Sequence, residues 1–307
     1  MSKERSLFCP AKLNLRLAVV GKRRDGYHLL ETLFHAIDLG DDLVARRSSG
    51  ELSLAITADD ARDLLPVEPD NLVLRAARVF AQRSGSTPAF DFRLHKRVPH
   101  GGGLGGGSSD AAGALRLCNA LCGDVLDRAA LLDCARALGA DVAFFLGGGT
   151  QWGQGVGDEL TMVDEPLSLF FTLLVPPFGC PTVEVYKSLA AIWKPPTHVD
   201  TIARVRECLH DVADATVRGE IVNDLAAAAE LVRPELAQLR RRAEGLCVGS
   251  VAMTGSGSTL FVAAHTAEGA ARQRALLSPL LADGVRVLAA RSYGPAPEPR
   301  PDNGGLA

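Results

Sequence analysis

Two domains of mixed helix and strand are what this chain predicts, on three observations. At 307 residues it has the length of roughly two ordinary domains, and 47% hydrophobic residues suffice for a sizeable core. Segments that alternate apolar and polar residues, the period of a half-buried strand, are interleaved with segments whose apolar residues recur every three or four positions, the period of a helix. After Gly155-Val156-Gly157-Asp158 the pattern starts afresh. The boundary is therefore expected near residue 160, with a first domain over 1–160, a second over 161–292 and a tail over 293–307.

The elements follow in chain order. From Lys12 the alternation is clean: in a strand, Leu13, Leu15, Leu17 and Val19 would face the core while Lys12, Asn14 and Arg16 project from the other face. A turn at Arg24-Asp25-Gly26 precedes Tyr27-His28-Leu29-Leu30, and strand signals recur near 43–46 and 52–57. Asn71 can cap a helix reaching about residue 82, and 90–98 reads as a strand feeding a glycine-rich loop. Beyond the loop, Ala111, Ala114, Leu115, Cys118, Leu121 and Cys122 mark a helix, and another over 131–138 stops at Gly139. An apolar strand over 167–175 ends at Pro176-Pro177, and helices are expected at about 183–191, 200–213, 219–231 and 234–243. Strands near 248–253 and 260–264 flank Thr254-Gly255-Ser256-Gly257-Ser258, a helix spans about 267–282, and a last strand covers 285–289. From Gly294 the chain is rich in Pro, Gly and charge with no apolar periodicity, which predicts a disordered tail that the protein can lose.

Composition narrows the classes of function. With 33 basic and 36 acidic residues the net charge is −3 and no basic run occurs, so neither nucleic acid nor an anionic membrane is expected as the main partner. The charged opening residues are not followed by a secretory apolar stretch, and no segment approaches the ~18 consecutive apolar residues of a membrane span. A cytoplasmic protein is expected. Seven cysteines, an odd number without a CxxC pair, predict neither disulfides nor zinc.

The most telling segment is Pro99-His100-Gly101-Gly102-Gly103-Leu104-Gly105-Gly106-Gly107-Ser108-Ser109-Asp110. Glycines let backbone N–H groups turn toward an anion at close range, and a helix beginning just after them adds its positive end. A Cβ at Gly103 or Gly106 is expected to collide with phosphates or to force a disfavoured backbone. The bland alternative is a flexible linker, opposed by the core helix that follows, with hydroxyls expected at its cap. A Walker loop is excluded because Gly107 is followed by Ser108 and not by Lys. Gly101-x-Gly103-x-x-Gly106 fits a dinucleotide fingerprint on paper, but a run this dense fits many patterns.

Phosphoryl transfer to an alcohol needs a cradle for the donor phosphates, a cation for developing charge and a carboxylate to receive the proton. Lys12, the glycine loop and Asp141 offer all three. Each has an ordinary reading too: Lys12 as the solvent-facing residue of a half-buried strand, Asp141 as the cap of the apolar segment 142–146, and 254–258 as a hairpin loop. Spacing assigns nothing to Tyr27, His28 or Tyr186.

Taken together, Pro10-Ala11-Lys12-Leu13-Asn14-Leu15, Gly21-Lys22-Arg23-Arg24-Asp25-Gly26-Tyr27-His28, the glycine loop, Leu138-Gly139-Ala140-Asp141-Val142, Asn223-Asp224-Leu225 and Met253-Thr254-Gly255-Ser256-Gly257-Ser258 closely resemble the GHMP kinase superfamily. The resemblance spans about residues 8–290. The Lys-Arg-x-Asp-Gly-Tyr-His block points within it to the family that phosphorylates a cytidine-diphosphate methylerythritol. It implies a two-domain α+β fold, with an N-terminal domain like ribosomal protein S5, a ferredoxin-like C-terminal domain and the active site in the cleft between them. It implies ATP as co-substrate with Mg²⁺, and transfer to the 2-hydroxyl of 4-diphosphocytidyl-2-C-methyl-D-erythritol in the non-mevalonate route to isoprenoids. Carried over by position, Asp141 is the base and Lys12 its partner. Pro99, His100, Gly101, Gly102, Gly103, Leu104, Gly105, Gly106, Gly107, Ser108 and Ser109 would bind the ATP phosphates, with Ser108 or Ser109 a candidate for the metal. Asn14, Tyr27, His28, Thr182 and Tyr186 would form the cytidine side, Tyr27 and Tyr186 sandwiching the base and His28 meeting its edge. Ala143 and Asp158 depart from the family pattern outside this chemistry.

Rival readings are another small-molecule kinase of the superfamily (for homoserine, mevalonate or a sugar), a non-catalytic nucleotide-binding regulator, and a nicotinamide-dependent dehydrogenase. Whether the chain is a monomer or a homodimer is not written in the sequence.

Overall fold

A long antiparallel hairpin forms the spine of the computed structural model, which describes residues 4–64, 67–163, 167–193, 223–246 and 250–302. Its strands are β1 (Arg5–Lys22) and β2 (His28–Arg47). The register shifts between Pro10 and Ala11, Asn14 and Arg16, and Val19 and Gly21. Each irregularity re-aims the side chains that follow, so the strand serves different cores along its length. Leu7 and Cys9 enter one apolar cluster, Leu13 and Leu15 a second, Leu17 and Val19 a third. Both faces of β1 are covered: Lys12 and Asn14, on the face opposite Leu13 and Leu15, are 3% and 2% exposed, which sets aside the solvent-facing reading of Lys12.

Around the hairpin the first sheet adds β3 (Ser53–Ala58), β4 (Phe90–Lys96), β5 (Thr150–Gln154) and β6 (Glu159–Met162). Strand β4 pairs antiparallel with β2 and parallel with β3, while β5 pairs with β2 and β6 with β5. One face of this sheet carries α1 (Leu72–Ser84), α2 (Gly106–Leu121), α3 (Arg128–Leu138) and α4 (Ala140–Gly147). As expected, the Asn71 side chain caps α1, accepting from Val73 N at 2.9 Å.

The second sheet is antiparallel throughout, in the order β10 (Arg286–Arg291), β7 (Phe170–Val175), β9 (Leu260–Ala264) and β8 (Ala252–Met253). Strand period decides its packing. In β7, Phe171 and Leu173 face the hairpin residues Leu13, Leu15 and Leu33, whereas Leu174 faces helices α5 (Thr182–Ile192), α6 (Ala226–Val232) and α7 (Pro234–Leu246). Helix α8 (Ala267–Leu277) lies on the same side and receives the Thr172 hydroxyl at Ala270 O, 3.2 Å. The two sheets thus meet through a shared apolar layer containing Trp152 and Phe261, and the fold is the α+β architecture expected.

Several expectations are revised. Residues 28–47 form one continuous strand, paired with β1 from His28 to Ala45, where the sequence showed separate signals at 27–30 and near 43–46. Helix α2 begins five residues early, inside the glycine run. The expected helix over 200–213, the start of that over 219–231, and residues 248–249 lie outside the described residues. The tail is not disordered over 294–302: β11 (Arg300–Pro301) pairs with β1, Ala296 N bonds Gly147 O at 2.9 Å, and Glu298 meets Arg116 at 2.8 Å. Backbone pairing and ion pairs of Glu298 with Arg116 and Asp302 with Arg93 hold what apolar periodicity could not announce.

Candidate active site

The glycine loop is anchored by carboxylates before it meets any ligand. Asp41 accepts from Lys96 Nζ at 2.5 Å, from Arg97 N at 2.6 Å and from Val98 N at 2.8 Å, which fixes the chain as it leaves β4. Lys96 also donates to Asp110 at 2.8 Å. Burial pushes the Asp110 carboxyl well above the usual range, opposed by Lys96 and reinforced by Asp41, and its Oδ1 has no partner. Further on, His100 N donates to Asp63 at 3.1 Å.

Positive φ angles of 72° at Gly101, 76° at Gly103 and 74° at Gly105 fold the loop back under itself. A Cβ on Gly103 would stand 2.6 Å from the Thr254 carbonyl oxygen, and one on Gly106 2.9 Å from Val98 Cγ1. Neighbouring protein atoms therefore crowd both positions, and at Gly103 the positive φ is the disfavoured backbone expected. The loop ends at Gly105, the N-cap of α2, where no side chain caps the helix. The hydroxyls expected there lie inside the first turn, so the first N–H groups of α2 stay open to an anion.

A cavity of about 380 Å³ lies over this helix end, lined by residues 98–108 together with Lys12, Asn14, Asp141, Thr182, Tyr186, Leu225, Gly255 and Ser256. Of the two serines, Ser108 lines it; Ser109 is buried, outside the lining, with its hydroxyl unpartnered. Lys12 Nζ donates to Asn14 Oδ1 at 2.7 Å and stands 3.9 Å from Asp141 Oδ2. Burial lowers the Lys12 pKa and the Asp141 charge opposes the fall. Asp141 sits in the first turn of α4 and does not cap it; the cap position is Gly139. Its side chain is 36% exposed and reachable from the cavity.

Asn14 holds the site together from within. Its Nδ2 donates to Thr32 Oγ1 at 2.7 Å, its backbone N donates to Thr254 Oγ1 at 3.0 Å, and its Oδ1 accepts a hydrogen bond from Lys12 Nζ. Both ends of the amide are occupied by protein groups, and Asn14 is absent from the lining of the aromatic cavity. Asn223 fastens the same segment from the other side, donating to Met253 O at 2.7 Å and Gly255 O at 3.0 Å, while Asp224 accepts from Val19 N at 2.7 Å.

Next to this cavity lies a second, of about 780 Å³, lined by Lys22, Tyr27, His28, Arg136, Val183 and Lys187 and sharing Leu30, Val156, Thr182 and Tyr186 with the first. His28 stacks on Tyr186, centroids 5.2 Å apart and planes 25° from parallel, and Trp193 meets His28 edge-on at 6.5 Å. Tyr27 stands 66% exposed at the rim. All three rings expected on the cytidine side thus line one cavity, and His28 lies stacked on Tyr186. Burial and Lys22 lower the His28 pKa, so its ring is favoured in the neutral form. Burial, with Asp141, pushes the Tyr186 phenol up to about 12.

Sequence reasoning missed Asp41, Lys96 and Asp63, which lie on three separate elements and carry no shared spacing. It also missed Thr32 and Thr254, which hold Asn14. Asp110 was visible as the end of the glycine segment but had no partner in sequence.

Residues 71–149 match the family described as GHMP kinases N terminal domain. The chain is 36% identical over 299 residues to the 4-diphosphocytidyl-2-C-methyl-D-erythritol kinase of Xanthomonas axonopodis pv. citri (strain 306), covering 94% of this chain and 90% of that protein. It is likewise 36% identical over 255 residues to the enzyme of that name from Protochlamydia amoebophila (strain UWE25), covering 83% of each. A crystal structure of 4-(cytidine 5'-diphospho)-2C-methyl-D-erythritol kinase superposes with TM-score 0.74 at 33% identity, over 94% of this chain and 99% of that one. Homoserine kinase from Cytophaga hutchinsonii shares the fold alone, with TM-score 0.72 at 18% identity over 98% of both chains. Fold and site together define a GHMP kinase, a small-molecule kinase with ATP as co-substrate. Within that class, the chain belongs to the 4-diphosphocytidyl-2-C-methyl-D-erythritol kinase family.

Proposed function

We propose that the chain transfers the γ-phosphoryl group of ATP to the 2-hydroxyl of 4-diphosphocytidyl-2-C-methyl-D-erythritol, in the methylerythritol phosphate route to isoprenoid precursors. The observation that carries the reading is the meeting of two cavities at Thr182 and Tyr186, one holding the glycine loop, Lys12 and Asp141, the other the His28–Tyr186 stack. A polyphosphate fits the first by its charge and a nucleobase the second by its flat apolar faces.

In this reading the open N–H groups of α2 and the loop from Pro99 to Ser108 hold the ATP phosphates. Asp141 receives the proton of the acceptor hydroxyl, and Lys12, held by Asn14, keeps that carboxylate oriented and balances charge developing on the transferred group. Asn14 acts on Lys12 and not on the cytidine. Tyr27 closes over the outer face of the base whose inner face meets the His28–Tyr186 stack, and the neutral imidazole of His28 supplies hydrogen bonds. Thr182, held by Ser256 at 2.9 Å, stands between the two substrates.

Mg²⁺ fits this donor set. Among the described residues there is no cluster of three or more His, Cys, Asp or Glu able to cage a metal, and Mg²⁺ bound with ATP uses phosphate oxygens, water and one or two protein oxygens. Ser108, which lines the cavity, would supply one. The ion would neutralise charge on the phosphates during transfer. All groups named belong to one chain, so a monomer or a homodimer satisfies the reading; among the described residues no helix is long and apolar enough to cross a membrane.

The test is direct. Purified protein incubated with labelled ATP, Mg²⁺ and a panel of alcohols should phosphorylate the cytidine substrate and leave homoserine, mevalonate and sugars unlabelled. Tyr27→Ala should raise KM for the cytidine substrate about tenfold or more with KM for ATP nearly unchanged, since stacking on a base contributes roughly 1–3 kcal/mol. Labelling of another alcohol in preference, or a Tyr27→Ala defect confined to ATP, would reject the assignment.

A further inference from the structure

We propose that Asp63 and Arg286 are a positioning pair for the ATP loop, through which the second sheet sets the grip of the loop on nucleotide. Asp63 closes a single 3₁₀ turn, Ala61–Asp63, and is 2% exposed. Its Oδ1 accepts from His100 N, the second residue of the loop, at 3.1 Å. The same oxygen accepts from Arg286 Nη2 at 3.1 Å, and Asp63 Oδ2 accepts from Arg286 Nη1. Arg286 opens β10, 223 positions away in sequence and in the other sheet.

A second guanidinium crosses the same gap in the opposite sense. Arg62 holds Asp60 at 2.5 Å and donates to Gly284 O at 3.3 Å, two residues before Arg286. Asp60 also approaches Arg286 Nη1 at 3.4 Å. The loop meets the second sheet again where Thr259 N donates to Gly102 O at 3.2 Å. Its start is thus fixed by a buried carboxylate whose charge is answered, in forked geometry, by a cation from the other sheet. Remove the cation and the carboxylate becomes a buried anion without its counter-charge, driven to turn toward water, which loosens His100. Neither Asp63 nor Arg286 lines the nucleotide cavity, so the effect on ATP passes through the backbone of His100.

The proposal rests on the reading that this loop holds ATP. Steady-state kinetics with both substrates, alongside melting curves, test it in the full chain. Arg286→Ala should raise KM for ATP about tenfold while kcat and KM for the cytidine substrate stay within about twofold. Arg286→Lys keeps the charge without the fork and should recover most of the ATP affinity; Asp63→Asn, which keeps an acceptor for His100 N, should fall between. If Arg286→Ala fails to fold, a rise of about threefold in KM for ATP alone in Asp63→Asn still supports the pair. Unchanged KM for ATP in folded variants, or parallel changes in all three constants, would overturn it. Gly103→Ala is the control for the underlying reading: if it too leaves KM for ATP unchanged, the loop itself is misassigned, whereas a defect there with normal Arg286 variants rejects the pair alone.

Discussion

Lys12 and Asp141 divide the electrostatic task unequally. The lysine is almost wholly enclosed, its ammonium bonded to Asn14 at 2.7 Å and 5.8 Å from the centre of the Phe34 ring, whereas the aspartate keeps about a third of its side chain open. A buried ammonium tends to lose its proton, and the Asp141 charge opposes that loss. The 3.9 Å gap between them leaves Asp141 free to accept a proton from a hydroxyl approaching through the cavity. Asp141→Asn and Lys12→Met should each cut kcat by roughly 10²–10⁴-fold. Nucleotide affinity, measured by titration with a non-hydrolysable ATP analogue, should change little because the phosphates are held by backbone. Near-normal turnover in either folded variant would remove that residue from the mechanism.

The loop-and-helix unit from Lys96 to Leu121 works through its backbone, and that is why its chemistry is testable at glycines. At Gly103 the φ of 76° and the nearby Thr254 carbonyl both exclude a side chain. Gly103→Ala should raise KM for ATP at least about tenfold, because an L-residue in this region costs roughly 1 kcal/mol or more before any clash is counted. Retained affinity in a folded variant would show that the loop tolerates another path. Elements that carry their own period, such as α1, β7 and β9, could be read from sequence because one face of each meets a core. The glycine loop was legible because its composition has few other uses. The hairpin strand β2 was not, since its polar residues Thr32, His35 and Asp41 are buried by partners that sequence does not reveal. The same holds for the anchors of the site: Asp41 meets Lys96 across 55 positions and Asp63 meets Arg286 across 223. Resemblance pointed to Lys12, Asp141 and the aromatic residues; the neighbours of Asn14 and the burial of Ser109 came only from the structure.

At the scale of the whole molecule, the segment after β10 closes the first sheet on itself. Ser292 bridges to Ile37, Gly149 N donates to Gly294 O at 3.0 Å, and Ala296 N donates to Gly147 O at the end of α4, the helix that carries Asp141. Truncation after Tyr293 should therefore lower Tm by roughly 3–6 °C and reduce kcat, an outcome that scanning calorimetry and turnover would read together. His35 ties the same three segments: its Nδ1 meets Thr150 Oγ1 of β5 at 2.9 Å and its Nε2 meets Ser292 Oγ at 2.8 Å. Burial lowers its pKa to about 4. Above the ordinary value of 6.5 the ring is neutral in both the folded and the unfolded chain and pH has no hold on this term. Between 6.5 and about 4 the unfolded chain binds a proton that the fold refuses, so stability falls as pH falls. At one pKa unit per 1.36 kcal/mol, the loss at pH 5 is about 2 kcal/mol relative to pH 7.5. Denaturant midpoints at the two pH values should show a wild-type drop larger by about that amount than the drop in His35→Gln, which keeps a donor and an acceptor but does not titrate. Equal drops in the two proteins would mean that His35 accepts a proton in place and that the joint between β2, β5 and the closing segment is open to water.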